Sequence, residues 1–155
     1  MVLLFLVKTD SVSDQHLITL IADHMENGFL ENIIDMFRHD RGLYPLISSL
    51  IQDERVRVRI GITALMEELK KLDAGNIAGA LPGLLPLLSH AEPFVRGDTA
   101  NLLGIIGNRK ALPPLEKLLK DENADVRLIA TEAIEEIRQQ NAGWQPTPAP
   151  LPRGE

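Results

Sequence analysis

The stretch from Ala111 to Ile137, ALPPLEKLLKDENADVRLIATEAIEEI, decides the fold that the sequence predicts. Its apolar residues recur every three or four positions on both sides of a polar turn, which is the spacing of two amphipathic helices. The proline near its start fits the first turn of a helix, because proline lacks the N–H that would be unpaired there. The stretch therefore predicts a helix, a polar turn and a second helix.

The same pattern occurs three times along the chain. Leu43–Arg59 reads LYPLISSLIQDERVRVR, Ala80–Arg96 reads ALPGLLPLLSHAEPFVR and Ala111–Arg127 reads ALPPLEKLLKDENADVR. All three have the same length, Pro at the third position and Val-Arg at the end. A single helix pair of this kind leaves one apolar side unburied, and stacking on a neighbouring pair covers it. We predict an all-α solenoid of three repeats at residues 43–72, 80–108 and 111–139.

The segments outside the repeats differ from them. Residues 1–42 contain two amphipathic helical patterns but lack the proline and the Val-Arg pair, so we expect a divergent N-terminal helical cap. Residues 141–155 are rich in proline and carry little charge, which predicts a flexible or extended tail. Within the middle repeat, Pro86 should kink or shorten the first helix.

Composition limits the function classes. The net charge is −6, which argues against nucleic acid and against an anionic membrane surface as partners. The sequence has no cysteine, which excludes disulfides and thiolate chemistry and fits a cytoplasmic protein. The apolar run Val2–Val7 is too short to span a bilayer and lacks the basic residue that begins a signal peptide. It is helix or strand, and is the segment most able to mediate a homo-oligomer.

Paired helices with a proline in the first and Val-Arg opening the second resemble HEAT repeats. Asp125–Ala130, DVRLIA, matches the D-V-R-x-x-A ending of the short variety found in phycobilin lyases, known as PBS lyase HEAT-like repeats. The other two repeats match in part, with Arg57 and Phe94 in place of the aspartate. The resemblance covers about residues 42–138 and implies an α-solenoid whose second helices line the concave face. It says little about function, because such stacks serve unrelated roles.

The Arg of each Val-Arg pair occupies the same repeat position, so Arg59, Arg96 and Arg127 should form a ladder along the stack. One interpretation is a row that binds anions. The other is structural, with each guanidinium bonded to nearby turn carbonyls or to Asp53 and Asp121. The resemblance favours the structural ladder, and guanidinium geometry suits such pairing.

The residues between the buried positions of the second helices should point outward and form a partner-binding face. Its small residues include Gly61, Gly97 and Gly104. Glycine in a helix interior costs about 1 kcal/mol relative to alanine, so Gly97 and Gly104 need a reason, either tight packing or close approach of a ligand. We expect this face to dock a basic or amphipathic segment of another protein; the alternative is an ordinary solvated face. Its polar candidates are Glu67, Glu68, Asp98, Asn101, Glu132, Glu135 and Glu136.

Trp144 is the single tryptophan and lies in the tail. It either folds back onto the last helix or serves as a partner-binding anchor, since tryptophan is enriched at binding hot spots. The four histidines are not spaced as metal ligands, and no His-Glu dipeptide or nucleophile motif occurs, so no metal, cofactor or catalytic residue is predicted. The sequence thus predicts a non-catalytic adaptor or scaffold. The alternative is a lyase-like or substrate-presenting module associated with an enzyme.

Overall fold

The computed structural model describes residues 10–143, with side chains from Asp14 onward. The predictions for Val2–Val7 and for Trp144 with its proline-rich tail lie outside these residues. Within them every regular element is helical. Two helices come first, α1 (Asp10–Glu26) and α2 (Leu30–His39). They pack against the second helix of repeat 1, as a cap would, and the Arg55 guanidinium lies 3.0 Å from the Asp23 carboxylate of α1.

The second helix of each repeat is long and continuous. These helices are α4 (Val56–Leu72), α6 (Pro93–Ile106) and α8 (Ala124–Gln140). Their buried residues follow the spacing read from the sequence, so that Val58, Val95 and Val126 all lie in the core at the start of their helices. The three helices are consecutive neighbours in an α-solenoid.

The first helix of each repeat is broken into short pieces. Repeat 1 has a 3₁₀ helix at Arg41–Leu46 and then α3 (Ile47–Leu50). Repeat 2 has a 3₁₀ helix at Ile77–Ala80, α5 (Leu81–Leu84) and a second 3₁₀ helix at Leu85–Ser89. Repeat 3 has a 3₁₀ helix at Arg109–Ala111, α7 (Leu112–Lys117) and another at Leu118–Lys120.

Proline explains the break in the middle repeat. Pro86 lies in the first turn of the second 3₁₀ helix, directly after α5 ends. Its ring excludes the carbonyl four residues earlier from an α-helical hydrogen bond, and it has no N–H to donate. The prediction that Pro86 shortens this helix is confirmed.

A buried tyrosine joins the cap to the first two repeats. The Tyr44 ring is fully buried and meets Phe37 of α2 edge-to-face at a centroid distance of 5.3 Å. Its hydroxyl donates to Asp73 Oδ2 at 2.7 Å, in the loop that leads to repeat 2. Burial, together with this hydrogen bond, raises the pKa of Tyr44. The ring thus contributes apolar packing while its polar tip stays satisfied.

Arg96 makes the contacts that the resemblance favoured for a structural ladder. Arg96 Nη1 donates to the His90 and Ala91 carbonyls of its own turn at 2.9 and 3.0 Å. Its Nε and Nη2 donate to the two carboxylate oxygens of Asp121 in the next repeat at 2.8 and 2.9 Å. Both side chains are about nine-tenths buried, so one guanidinium closes its own turn and ties two repeats together.

The other two ladder positions differ from Arg96. Arg59 bonds the Asp53 and Glu54 carbonyls of its own turn, but its carboxylate partner in repeat 2 is Asp98, at 2.9 Å. The Asp53 carboxylate pairs with Arg55 instead, so of the two predicted kinds of partner in its own turn Arg59 uses the carbonyls. Arg127 donates to the Asp121 carbonyl and has no carboxylate partner within residues 10–143.

The glycines expected on the outward face are packing positions, which corrects that part of the prediction. A Cβ at Gly104 would lie 3.1 Å from Ala133 Cα of α8, and one at Gly97 would lie 3.2 Å from Ile129 Cδ1. A Cβ at Gly61 would overlap the Met25 side chain of α1. Of the two reasons predicted for glycine at Gly97 and Gly104, close packing against α8 is found at both positions.

The end of α6 is held from both sides. Gly107 adopts a left-handed conformation, with φ of 77°, that ends the helix. Lys70 Nζ from repeat 1 donates to the Ile106 carbonyl at 2.8 Å, and Gln140 Nε2 from repeat 3 donates to the Gly104 carbonyl at 2.8 Å. Carbonyls at a helix C-terminus lack partners within the helix, so the neighbouring repeats supply them.

The close approach of α6 and α8 predicts that Gly104→Val destabilises the fold. The valine methyl groups would extend beyond a Cβ that already contacts the α8 backbone. We expect a loss of about 1–3 kcal/mol in the free energy of unfolding, measured by urea denaturation. Gly75→Val is the matched control, because a Cβ there meets nothing within 4 Å. Equal midpoints for Gly104→Val and wild type would contradict the close packing.

The burial of the Arg96–Asp121 pair predicts a large effect of Arg96→Met. The variant keeps an apolar stem but leaves the Asp121 carboxylate buried without its partner, and we expect a loss of about 3–5 kcal/mol. Arg138→Met is the control, because Arg138 is mostly exposed and lies 3.6 Å from Glu116. That change should cost less than about 1 kcal/mol. The same urea measurement compares them, and similar losses would show that burial of the pair is unimportant.

The same pair predicts a pH dependence of stability. The Arg96 guanidinium lowers the pKa of Asp121 below its usual value. Asp121 ionisation therefore stabilises the folded state above the pKa of an unfolded aspartate, about 3.9, and this contribution is lost as pH falls through the lower folded pKa. The stability difference between wild type and Asp121→Asn should be constant near neutral pH and shrink in acid. A difference that grows on acidification would contradict the sign.

Candidate functional site

A groove across all three second helices contains several of the predicted partner-binding residues. We call the outward side of α4, α6 and α8 the B-helix face. The groove has a volume of about 460 Å³ and lies in its C-terminal half. Glu67, Asn101 and Glu136, one from each repeat, lie together there. The remaining lining residues are Lys70, Lys71, Ile105 and Gln140.

Two lysines and two glutamates line this groove, and they differ in their contacts. Lys71 pairs with Glu68 at 3.2 Å, and Lys70 is bonded to the Ile106 carbonyl. Glu67 and Glu136 make no ion pair within residues 10–143. Glu132, one turn before Glu136 on α8, is also exposed and unpaired within that range. The groove therefore presents carboxylates without an ion-pair partner to solvent. Each of its two lysines, in contrast, donates a hydrogen bond to a neighbouring group.

Asp98 differs from these carboxylates because it is ion-paired. It is partly buried, and its carboxylate accepts from Arg59 Nε at 2.9 Å. Burial raises the pKa of Asp98, and the Arg59 guanidinium opposes that rise in part. Asp98 is thus a member of the ladder that borders the B-helix face.

Glu135, unlike its neighbour Glu136, is outside the groove lining. It is exposed but does not line the groove. Its equivalent in repeat 2 is Gly104, which packs against α8 of the following repeat. Glu135 therefore points away from repeat 2, toward the open end of the stack.

The N-terminal half of the B-helix face carries exposed apolar side chains. Val56, Ile60 and Phe94 have exposed fractions of 57%, 64% and 36%. The Arg59 guanidinium lies 4.4 Å above the centroid of the Phe94 ring, within cation–π range. Arg59 and Phe94 line one cavity of about 460 Å³, with the remaining lining residues Gln52, Glu54, His90, Glu92 and Val95.

Two smaller cavities adjoin this one. A cavity of about 110 Å³ lies between α4 and α6 and includes Val56, Ile60 and Asp98. Another, of about 270 Å³, lies between α6 and α8 and includes Phe94, Asp98 and Ile129. Because Arg59, Phe94 and Asp98 are each shared between two of these three cavities, they form one continuous surface.

The sequence contained a signal for Phe94 that its periodicity did not reveal. Phe94 occupies the position of Asp125 in the repeat that matches the motif in full. His90, in turn, occupies the position of Asp121, so repeat 2 lacks the turn carboxylate that Arg96 finds in repeat 3. Arg59 binds Asp98 and stacks on Phe94 instead. These two departures from the motif shape the apolar half of the face.

Outside the B-helix face, the described residues include fewer candidate functional groups. No group of three His, Asp or Glu side chains among residues 14–143 is arranged to hold a metal ion. His24 and His39 bond carbonyls of their own helices. A cavity of about 620 Å³ lies at the C-terminal ends of α4, α6 and α8, and its lining includes Ala74, Gly107 and Asn141. None of the helices described is long and apolar enough to cross a membrane.

Comparison with known proteins agrees with this architecture. A family model for HEAT repeats matches residues 43–135, more than half of the chain. A comparison with curated proteins gives no match. Among solved structures, human deoxyhypusine hydroxylase in complex with glycerol is similar, with a TM-score of 0.56 and 19% identity.

That alignment covers 93% of this chain and 51% of the hydroxylase chain, so this chain spans about half the length of that protein. A likeness at this level of identity shows a common fold and not a common activity. The family match and the repeated helix pairs give the same assignment. The chain belongs to the HEAT-repeat family.

Proposed function

We propose that this protein is a non-catalytic cytoplasmic adaptor or scaffold that binds a segment of another protein on its B-helix face. One observation carries the proposal: Glu67, Asn101 and Glu136 come from three different repeats and line one groove. A helical-repeat stack commonly uses such an extended face for binding.

The charges favour a basic segment. Glu67, Glu132 and Glu136 are exposed and make no ion pair within residues 10–143, and the protein as a whole carries −6. Complementary charge speeds association and selects against acidic partners. Exposed ion pairs are each worth only about 0–1 kcal/mol, so these carboxylates give selectivity more than affinity.

Affinity requires apolar contact as well. Val56, Ile60 and Phe94 lie on the same face as the carboxylates, toward the N-terminal ends of α4 and α6. Apolar and aromatic side chains in partly enclosed pockets carry most of the energy at protein interfaces. The surface therefore suits an amphipathic segment whose apolar residues meet Phe94 and whose Lys or Arg residues meet Glu67 and Glu136.

The alternative from the sequence, a module that presents a substrate to an enzyme, uses the same surface. The similar solved structure is of an enzyme, but the likeness concerns the fold alone. Two lysines and two glutamates line the groove, with both lysines already bonded. This arrangement favours binding over catalysis as the role of the face.

The proposal predicts that reversing three carboxylates of the B-helix face, in and beside the groove, weakens binding of a basic amphipathic probe. The probe is a fluorescein-labelled Leu/Lys helical peptide, measured by fluorescence anisotropy at low and physiological salt. Glu67→Lys/Glu132→Lys/Glu136→Lys should weaken its binding by about tenfold or more at low salt, with a smaller difference at higher salt.

The control variant is Asp14→Lys/Glu31→Lys/Asp35→Lys, which changes three exposed carboxylates of α1 and α2 by the same net charge. It should bind the peptide nearly as tightly as wild type does. Equal loss in both triple variants would show that only net charge matters. Equal binding of a Leu/Glu peptide by wild type would also contradict the proposal. Pull-down from native cytosol with wild type and the groove variant then identifies the physiological partner.

A further inference from the structure

The last repeat exposes an apolar position that the first two repeats bury. We call the side of repeat 3 that faces away from repeat 2 the end face. Ile51, Leu88 and Leu119 occupy one repeat position, and their exposed fractions are 0%, 4% and 40%. Leu128 of α8 is also exposed, at 58%. Its equivalent in repeat 2, Gly97, is buried against repeat 3, whereas its equivalent in repeat 1, Ile60, is exposed at 64%. The end face thus resembles an interface between repeats without the next repeat.

The arginine ladder ends at the same place. Arg59 and Arg96 each reach a carboxylate in the following repeat. Arg127 uses Nη1 for its own turn carbonyl and is exposed, with no carboxylate partner among the residues described. By its repeat position, Arg127 directs its guanidinium off the end face. Among the residues described, the end face therefore has neither an apolar cover nor a carboxylate bonded to Arg127.

A carboxylate lies two helical turns further along the same stripe. Arg127, Thr131 and Glu135 are spaced by four residues on α8, and all three are exposed. Their equivalents in repeat 2, Arg96, Ala100 and Gly104, are buried. The Thr131 hydroxyl donates to the Arg127 carbonyl at 2.9 Å, so this small side chain is already satisfied and permits close approach.

We propose that the end face pairs with the end face of a second copy of this chain, with the two α8 helices antiparallel around a two-fold axis at Thr131. Such an interface is self-complementary, because residues at equal distances on either side of the axis oppose each other. Arg127 of one copy then meets Glu135 of the other, and the reciprocal pair forms as well. Each copy supplies the carboxylate that a following repeat would otherwise give to the ladder.

The apolar residues complete this interface. Leu119 and Leu128 lie near the Arg127 end of the stripe and lose water when the second helix covers them. The groove residues Glu67, Asn101 and Glu136 are not part of the end face, so the dimer leaves the proposed partner-binding groove open. Dimerisation through the end face therefore does not depend on partner binding in the groove.

Charge exchange within α8 tests the pairing. The mass of the full chain in solution is measured by sedimentation over a range of concentrations. Wild type should dimerise, and Arg127→Glu or Glu135→Arg alone should weaken the dimer by about tenfold or more, because each places like charges together twice. An equimolar mixture of the two single variants should dimerise again, as should the double variant Arg127→Glu/Glu135→Arg.

Glu132→Arg is the matched control, since it makes the same charge change on the same helix but on the B-helix face, and its dimer should persist. Circular dichroism confirms that each variant is folded. A wild-type protein that stays monomeric overturns the inference. If Leu119→Asp then shifts the fluorescence of Trp144 in that monomer, the C-terminal segment covers the end face instead. A dimer that no α8 charge variant weakens also overturns it and points to Val2–Val7.

Discussion

The stack depends on one arrangement, a guanidinium that is bonded to its own turn and to the next repeat at the same time. Arg96 makes four hydrogen bonds in this way, two to carbonyls and two to Asp121, while about nine-tenths of its side chain is buried. A buried charge is tolerated only when such partners replace water. The ladder therefore fixes both the conformation of the turn and the distance between neighbouring repeats. It thereby positions the helices that the turns connect.

The spacing between the second helices then varies with the residue that faces the neighbour. Repeat 2 presents Gly97 and Gly104 to α8, and α6 and α8 come into close contact. The equivalent residues of repeat 1 are Ile60 and Glu67, which stay exposed. Cavities accordingly lie between α4 and α6, and the groove of the B-helix face begins at Glu67. The size of the residue at these repeat positions therefore determines whether neighbouring second helices are in close contact or leave a cavity between them.

Much of the fold could be predicted from the sequence, because it depends on residues that recur at regular intervals. The helix pairs, the burial of Ile47, Leu84 and Leu115, and the existence of the ladder all follow from repeated residues at fixed intervals. The role of Asp98 could not be predicted, because its partner Arg59 is distant in sequence and its choice depends on the absence of aspartate at position 90. The hydrogen bond from Tyr44 to Asp73 could not be predicted either, because the two residues are 29 positions apart in the sequence. The glycines gave a correct signal of tight packing, but the sequence could not say which helix was close.

The candidate site lies where the repeats differ from one another. His90 and Phe94 replace motif aspartates in repeat 2, and both line the cavity beside Arg59. An aspartate at position 90 would offer Arg59 the pairing that Asp121 offers Arg96, and the guanidinium would have no need of Asp98. With His90 there, the Arg59 guanidinium binds Asp98 and covers part of the Phe94 ring. The cavity beside it is lined by apolar Phe94 and Val95 and by polar residues that include Glu54 and Glu92. Repeat positions that hold the stack together are constrained by burial, so a surface for a partner is built from the positions that depart from the motif.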